Sequence, residues 1–243
     1  MIFSSDTLRN QLLAALPEAD WLRWLPHLEP VDMPQGQVLY ESGSHVKHVY
    51  FPVSGIVAKL YMTLNGSTSE LAVVGNEGVI GTTLFLGGDT TLNQAVVLSA
   101  GKAFRMSAQV LLAEFKASGF VPHLLLRYTQ ALMTQMAQTA VCNRLHTLDK
   151  QLCRWLLMIT DRTGSDEILM TQETIAHMLG VRREGVTEAA VKLQREGVIR
   201  YARGRILVLD RRGLASRSCE CYGVVKKEYD RLLMIRYEVP VTT

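Results

Sequence analysis

Hydrophobic positions change their rhythm along this chain. Over residues 5–30 they fall at helical spacing, with Leu12, Leu13, Leu16, Trp21, Leu22, Trp24 and Leu25 as the apolar surface and Pro17 and Pro26 as breaks. From Val31 to about Arg105 the texture turns to short runs, QVLYE, HVYFPV, GIVAKLYMT, SELAVVG and QAVVLSAG, separated by Gly, Asn and Ser. Asn65-Gly66, between two of these runs, is a hairpin signal. Many short strands at this spacing predict a β-barrel or jelly roll.

After Ser107 the helical period returns. Residues 122–145 (PHLLLRYTQALMTQMAQTAVCNRL) place pairs at Leu125/Leu126, Tyr128/Thr129, Leu132/Met133, Met136/Ala137 and Ala140/Val141, with only Arg127 and Arg144 ionised. A helix this apolar must be buried, in its own domain or against a copy of itself. Leu148-Asp149-Lys150 reads as a hinge, and Asp149 can cap the next helix, KQLCRWLLMITD.

Residues Gln172 to Val191, QETIAHMLGVRREGVTEAAV, read as two short helices joined at Gly180. Ala176 is the small residue a close helix crossing needs, and Gly180 suits the left-handed end of the first helix. Ile175 and Leu179 share a face, against which Val186, Ala189 and Leu193 can pack. Thr171 is the expected N-cap, followed by Gln172, and Gly197 stops the second helix. Arg182, Arg183, Glu184, Thr187, Glu188 and Lys192 then lie along that helix, the layout of a helix-turn-helix that sets a basic helix in the DNA major groove. Alone, the twenty residues also fit an ordinary αα-hairpin with solvated arginines. The adjoining segment favours DNA. VIRYARGRILVLD, Val198 to Asp210, reads as strand, turn at Arg203-Gly204, strand, a wing carrying Arg200, Arg203 and Arg205. Such arginines can hold phosphates.

Charge divides in the same way. Residues 150–243 carry 17 basic and 12 acidic side chains, residues 1–149 carry 9 and 11, and the whole is +3. Residues 182–212 hold 9 basic and 4 acidic, so the excess sits on helix and wing. The length of 243 residues suggests two domains. No run approaches the roughly 20 apolar residues of a membrane span. The opening MIFSSDTLRNQLL lacks the pattern of a signal peptide, so a cytoplasmic location is expected. No GxSxG, P-loop or HExxH is present, and an enzyme is not expected.

The order of jelly roll, long apolar helix and winged helix resembles the Crp/Fnr family of bacterial transcription regulators, most strongly at LMTQETIAHMLGVRREGVTEAAVKLQREGVIRYARGRILVLD. The resemblance implies an α+β chain: a cyclic-nucleotide-binding-like barrel sensor over 1–120, a dimerisation helix and hinge over 121–148, and a winged helix-turn-helix with a C-terminal helical extension over 149–243. It implies a homodimer on double-stranded promoter DNA, with RNA polymerase as a further candidate partner and no membrane. A signal at the barrel would reorient the DNA domains through helix and hinge. Recognition helices that act in pairs on half-sites about 34 Å apart favour a dimer seam on the long helix, at Leu125, Leu132, Met133, Met136 and Ala140.

The family's base-reading Arg-Glu pair falls on Arg183 and Glu184. A later arginine of the cAMP-responsive members falls on Glu188, so the target sequence should differ from theirs. Those members hold the nucleotide through a Gly-Glu-Leu-Gly run and an Arg-Ser-Ala run. Here the first resembles Ile80-Gly81-Thr82-Thr83-Leu84-Phe85 and the second Asn93-Gln94-Ala95-Val96, so Thr82 stands at the glutamate and Asn93 at the phosphate arginine. A buried phosphate without a cation is poorly compensated, so cAMP is not expected. Gly81, Thr82, Thr83, Asn93 and Gln94 remain as an effector pocket for another small ligand or as plain turn and strand residues.

Oxygen-sensing relatives hold an iron–sulfur cluster with N-terminal cysteines. The first cysteine here is Cys142, so no such cluster is expected. Cys219-x-Cys221 is tighter than zinc-knuckle spacing, and on a helix the two would point about 200° apart. Cys142, Cys153, Cys219 and Cys221 are therefore expected as structural thiols, with no metal. His45-x-x-His48 reads as turn residues. CECYGVVKKEYDRLLMIRYE reads as one more helix, presenting Tyr222, Val225, Tyr229 and Leu232/Leu233 on a face, beyond where short family members end. The alternative function is a ligand- or redox-responsive protein-interaction module that does not bind DNA.

Overall fold

Asn10 shows how the N-terminal segment is fixed. Its buried side chain caps α1 (Gln11–Ala14), accepting from the Leu12 and Leu13 N–H groups, and its amide donates to the carbonyls of Pro52 and Gly78 at 2.8 and 2.9 Å. Pro17 precedes α2 (Glu18–Trp24), which buries Trp21 and Trp24, and Pro26 lies in the 3-10 turn that comes next. The computed structural model describes residues 7–233 apart from Asn65, Ser67 and Ser118. Residues 5–6 of the helical opening, Asn65 of the hairpin signal and residues 234–238 of the last helix lie outside the described residues.

Seven strands come after: β1 (Glu29–Met33), β2 (Val38–Tyr40), β3 (His48–Pro52), β4 (Ile56–Met62), β5 (Thr68–Val74), β6 (Gln94–Ser99) and β7 (Gly101–Ser107). They form two antiparallel sheets, β1-β7-β3 and β2-β6-β4-β5, around one core. β4 and β5 pair from Met62↔Thr68 back to Val57↔Val74. In β4 every residue from Ile56 to Leu60 is buried. The alternating pattern gives way to a continuous buried run, Lys59 included, because both faces are covered. Val57 and its partners Val74 and Val97 face the barrel interior, while Ile56, Ala58 and Leu60 pack with the C-terminal domain.

Helix α3 (Ala108–Lys116) is capped by Ser107 and leads to α4 (Phe120–Leu145), 26 residues or about 39 Å long. The chain then turns at His146 and Thr147 into α5 (Leu148–Thr163). The joint thus lies at 146–147 and not at 148–150. Thr147 holds the N-cap position and Asp149 sits inside the first turn, where its charge suits the helix dipole. Next come β8 (Glu167–Leu169), α6 (Gln172–Leu179), α7 (Arg183–Arg195), β9 (Ile199–Ala202), β10 (Arg205–Val208), α8 (Arg211–Arg217) and α9 (Glu220–Leu233). Among the described residues no helix is long and apolar enough to cross a membrane.

The C-terminal extension packs mainly on the barrel side: α9 lies along α4, and Val225, Tyr229 and Leu232 enter the barrel-side core, while Tyr222 touches the winged-domain core and donates to Asp161 Oδ2 at 2.9 Å. One expectation needs correction. The face of α4 expected as a dimer seam is half taken. Leu125 and Leu132 are buried in the chain's own core and Met136 is half-buried, whereas Met133 and Ala140 are exposed. The barrel on one side and α9 on another claim the Leu125–Tyr128–Leu132 face. The exposed apolar stripe runs one position over, through Leu126, Met133, Ala137 and Ala140 to Val141 and Leu145.

The two domains meet through a buried polar junction. Arg162 of α5 donates from Nε to Glu77 Oε1 at 2.8 Å, from Nη1 to the Met158 carbonyl at 3.1 Å, and from Nη2 to Gln135 Oε1 of α4 at 2.7 Å. Tyr229 of α9 donates to the same Gln135 oxygen at 3.0 Å. Nearby, Trp155 Nε1 donates to Glu70 Oε2 at 2.9 Å, tying α5 to β5. Burial pushes the Glu70 carboxyl up to about 7, against the pull of the Trp155 hydrogen bond and of Arg154 and Arg162.

Candidate nucleic-acid interface

The turn between α6 and α7 is locked by its backbone. Gly180 takes the left-handed conformation at φ 65°, and the Val181 N–H reaches back to the Ala176 carbonyl at 3.0 Å, closing a Schellman turn. Thr171 caps α6 by accepting from the Thr174 N–H at 3.1 Å. Ile175, Ala176, Leu179, Val186, Ala189 and Leu193 are buried in one core, with α7 packed on α5 and α6 packed on β5. Across the crossing, Thr187 Oγ1 donates to Gln172 Oε1 at 2.7 Å, so both polar groups help to fix the angle of α7.

This frame presents Arg182 at the N-cap and Arg183 and Glu184 in the first turn of α7, all exposed. Glu188 is exposed one turn on, and Thr187 lies half-buried between them. Among the described residues Arg182 and Arg183 make no ion pair, so their charge is available. Lys192 departs from the expected DNA-contacting set. It points to the hinge side, where Nζ pairs with Asp149 Oδ2 at 2.5 Å and ties α7 to the start of α5. Opposite, a Cβ at Gly185 would lie 2.8 Å from Leu148 Cδ2, so the recognition helix sits tight against the first residue of α5.

The wing is the hairpin of β9 and β10, in register Arg205↔Ala202 through Val208↔Ile199. Arg203 and Gly204 both take positive φ, 50° and 77°, as a tight two-residue hairpin turn requires. Arg203 is the one non-glycine residue in that region among the described residues. It holds a sparsely populated conformation at an exposed tip, the kind of local strain found at functional positions. Arg205 is partly engaged, with Nη1 3.2 Å from Glu167 Oε1. That partner comes from β8, a strand too short for its pattern to show in the sequence, which pairs with β10 to complete a three-stranded wing sheet. The Tyr201 N–H donates to Gln194 Oε1 at 2.8 Å, joining wing to helix.

The expected effector residues divide. Gly81, at φ 106°, opens a 3-10 turn over Thr82–Leu84, and Thr82 is buried. Thr83 Oγ1 and Asn93 Oδ1 are buried and have no hydrogen-bond partner among the described residues. Gln94 does not belong with them. It pairs with Leu60, on the outer face of its sheet, and donates to Glu41 Oε2 at 2.7 Å in an exposed contact. Side chains alternate along a strand, so the inward position falls to Ala95. Opposite Ala95 lies Lys59, a residue the sequence pattern hid inside an apolar run. Its partners Ala72 and Ala95 face the barrel core, so its side chain leaves the strand on that face. Burial pushes that group down to about 8, and it makes no ion pair among the described residues. Asn93 and Thr82 are both uncharged.

The four cysteines occupy two places. Cys153 lies in the winged-domain core, and Cys142, Cys219 and Cys221 form a small buried cluster at the 146–147 joint. Burial pushes the Cys142 and Cys153 thiols up to about 12 and Cys221 up to about 11, the reverse of a reactive thiol.

Residues 150–217 match the Crp-like helix-turn-helix domain, and residues 30–118 match the cyclic nucleotide-binding domain. Neither match extends into α9. A CRP-like cAMP-activated global transcriptional regulator of Mycobacterium tuberculosis is 23% identical over 198 residues, covering 79% of this chain and 88% of the relative. FixK2 from Bradyrhizobium japonicum has a similar structure, with a TM-score of 0.70 at 16% identity over 79% of this chain and 98% of that one. A regulator of the Crp/Fnr family from Eubacterium rectale gives 0.66 at 19% identity, over 84% and 96%. With both domain matches falling where the fold places barrel and winged helix, the chain belongs to the Crp/Fnr family of DNA-binding transcription regulators.

Proposed function

We propose that the chain acts as a homodimer on an inverted repeat, with Arg183 and Glu184 reading base edges and Arg203 holding a phosphate. The observation that carries this reading is the exposed first turn of α7, without an ion pair among the described residues and fixed by the Gly180 turn, together with a wing tip whose Arg203 is held in a strained conformation. Arginine can bond a guanine O6/N7 edge bidentately, and glutamate can accept from cytosine N4. Glu188 adds negative charge one turn further on, so the preferred bases differ from those of relatives with a cation there.

The dimer seam is the exposed stripe of α4. Leu126 (46% exposed), Met133 (64%) and Ala140 recur every seven residues, with Ala137 between the last two, the spacing of a coiled-coil seam. The relay runs from the barrel through α4 and the junction of Glu77, Gln135 and Arg162. A barrel ligand with an anionic group would find its counter-charge at Lys59 and not at Asn93.

Retention of DNA fragments by variants tests the reading. Arg183→Ala should cost about 1–3 kcal/mol on the preferred site and relax one base pair. Arg203→Ala should weaken all sequences about equally. If neither change alters retention at low salt, α7 and the wing are not the reading surface.

A further inference from the structure

The joint between α4 and α5 gathers four metal-binding side chains from two distant segments. Cys142 and His146 stand four residues apart, at the last turn and the C-cap of α4, and so share a face. Cys219 directly precedes α9, and Cys221 lies in its first turn. Because Cys219 is outside the helix, the two thiols do not diverge as they would within one. One donor atom from each of the four residues lies within 4.8 Å of all the others. Cys142 Sγ is 3.5 Å from Cys219 Sγ, and Cys221 Sγ is 3.6 Å from His146 Nδ1.

These distances resemble the edges of a coordination tetrahedron. Zinc bonds thiolate sulfur at about 2.3 Å and imidazole nitrogen at about 2.0–2.1 Å, which sets the edges at ~3.8 Å between sulfurs and ~3.6 Å between sulfur and nitrogen. An iron–sulfur cluster instead spreads its ligands over several irons. Two surrounding groups point the same way. His146 Nε2 lies 3.3 Å from Glu220 Oε1, and metal-bound histidines commonly give their second ring N–H to a carboxylate. Arg154, 2% exposed, acts electrostatically on both Cys142 and Cys221. Its Nη2 donates to Thr139 Oγ1 at 2.7 Å, yet its Nε has no partner, and it makes no ion pair among the described residues. Glu70 acts on it electrostatically without pairing, and a buried cation short of counter-charge is costly. Three thiolates and a neutral imidazole around a divalent ion carry a net single negative charge, which would supply it.

We propose that Cys142, His146, Cys219 and Cys221 bind a single thiophilic divalent cation, zinc being the best match, in a closed tetrahedral site. Four protein ligands leave no open position, so the role is structural. The three thiols lose their protons on binding, and the released protons go to solvent. The ion pins the start of α9 to the end of α4, beside the joint through which α4 leads into the DNA-binding domain.

The test uses the full chain, purified with reductant and without chelator. Metal analysis should give one zinc per chain, and cobalt chloride added to the metal-depleted protein should give the intense visible bands of a tetrahedral ion with thiolate charge transfer. Cys221→Ser and His146→Ala should lose stoichiometric metal, and Cys153→Ser should keep it. Glu220→Gln should weaken zinc binding about 10–100-fold. If the ligand variants do not fold, the cobalt titration of the unaltered chain decides. The proposal is overturned by a folded, reduced chain that takes up neither zinc nor cobalt. It is equally overturned by stoichiometric iron and sulfide, or by Cys153→Ser losing metal as fully as Cys221→Ser.

Discussion

Removing the carboxylate at Glu77 should be among the most damaging single changes in the molecule, although Glu77 lies on neither the recognition helix nor the wing. Both side chains of the Glu77–Arg162 pair are less than a tenth exposed. Glu77 Oε1 receives Arg162 Nε at 2.8 Å and Oε2 receives the Gly75 N–H at 3.0 Å. Glu77→Ala strands a guanidinium that cannot shed its proton, with the Tyr229 ring 5.5 Å away as its remaining anionic-faced neighbour. Breaking a buried pair from one side costs about 3–5 kcal/mol. At ~2–4 °C per kcal/mol for a chain of this size, Tm should fall by roughly 6–20 °C. Replacing both partners by apolar residues, Glu77→Met with Arg162→Met, removes the stranded charge and should recover at least half of the loss. Urea and thermal unfolding of the three proteins measure this. A single-variant loss under about 1 kcal/mol, or a double variant no better than Glu77→Ala, would refute the buried-charge reasoning.

The structure sets three further outcomes. Glu70 holds its proton up to about pH 7 when folded but ionises near 4.5 when unfolded, so its contribution is full below that window and is lost as pH rises through it; Glu70→Gln should flatten stability between pH 4.5 and 7, seen in unfolding midpoints against pH. Lys59 behaves oppositely, since between about pH 8 and 10.5 the unfolded chain keeps a proton the folded one has lost and stability rises with pH; Lys59→Met should abolish that rise and stabilise the chain at pH 7 by about 3 kcal/mol, and an unchanged unfolding profile would place the ammonium in water. If the proposed seam on α4 holds, Met133→Glu should sediment as a folded monomer where the unaltered chain is a dimer, whereas Leu132→Glu should unfold the chain, and a dimeric Met133→Glu protein would move the seam elsewhere.

The parts legible in the sequence are those where one residue type answers one backbone demand. Gly180 marks the left-handed turn of the helix-turn-helix, and Arg203-Gly204 the hairpin turn of the wing. The short strand runs likewise announce the barrel. What escaped legibility depends on which neighbour covers a surface. On α4 both members of Leu125/Leu126 and of Leu132/Met133 are apolar, so periodicity cannot say which faces the chain's own core; α9, arriving from the far end of the sequence, decides it. Lys59 sits in a buried run whose two faces serve different cores, and only register assigns it to the barrel. Gln94 fails as a pocket residue for the same reason. The cysteine cluster is hidden when Cys219 and Cys221 are taken as helical neighbours, because the helix begins between them. Lys192 has the sequence position of a DNA contact on the basic helix, but Asp149 draws it aside at the hinge.

Selection of fragments from a random DNA library by the purified chain at low salt measures the central claim most directly. Two copies of α7 related by a dimer axis along α4 predict an enriched inverted repeat, with half-sites about 34–36 Å, or a multiple of a helical turn, apart. Enrichment should vanish in one base pair of each half-site with Arg183→Ala and persist, weakened overall, with Arg203→Ala. Enrichment of a single unrepeated element, or none above the input library, would contradict a dimer reading DNA through α7.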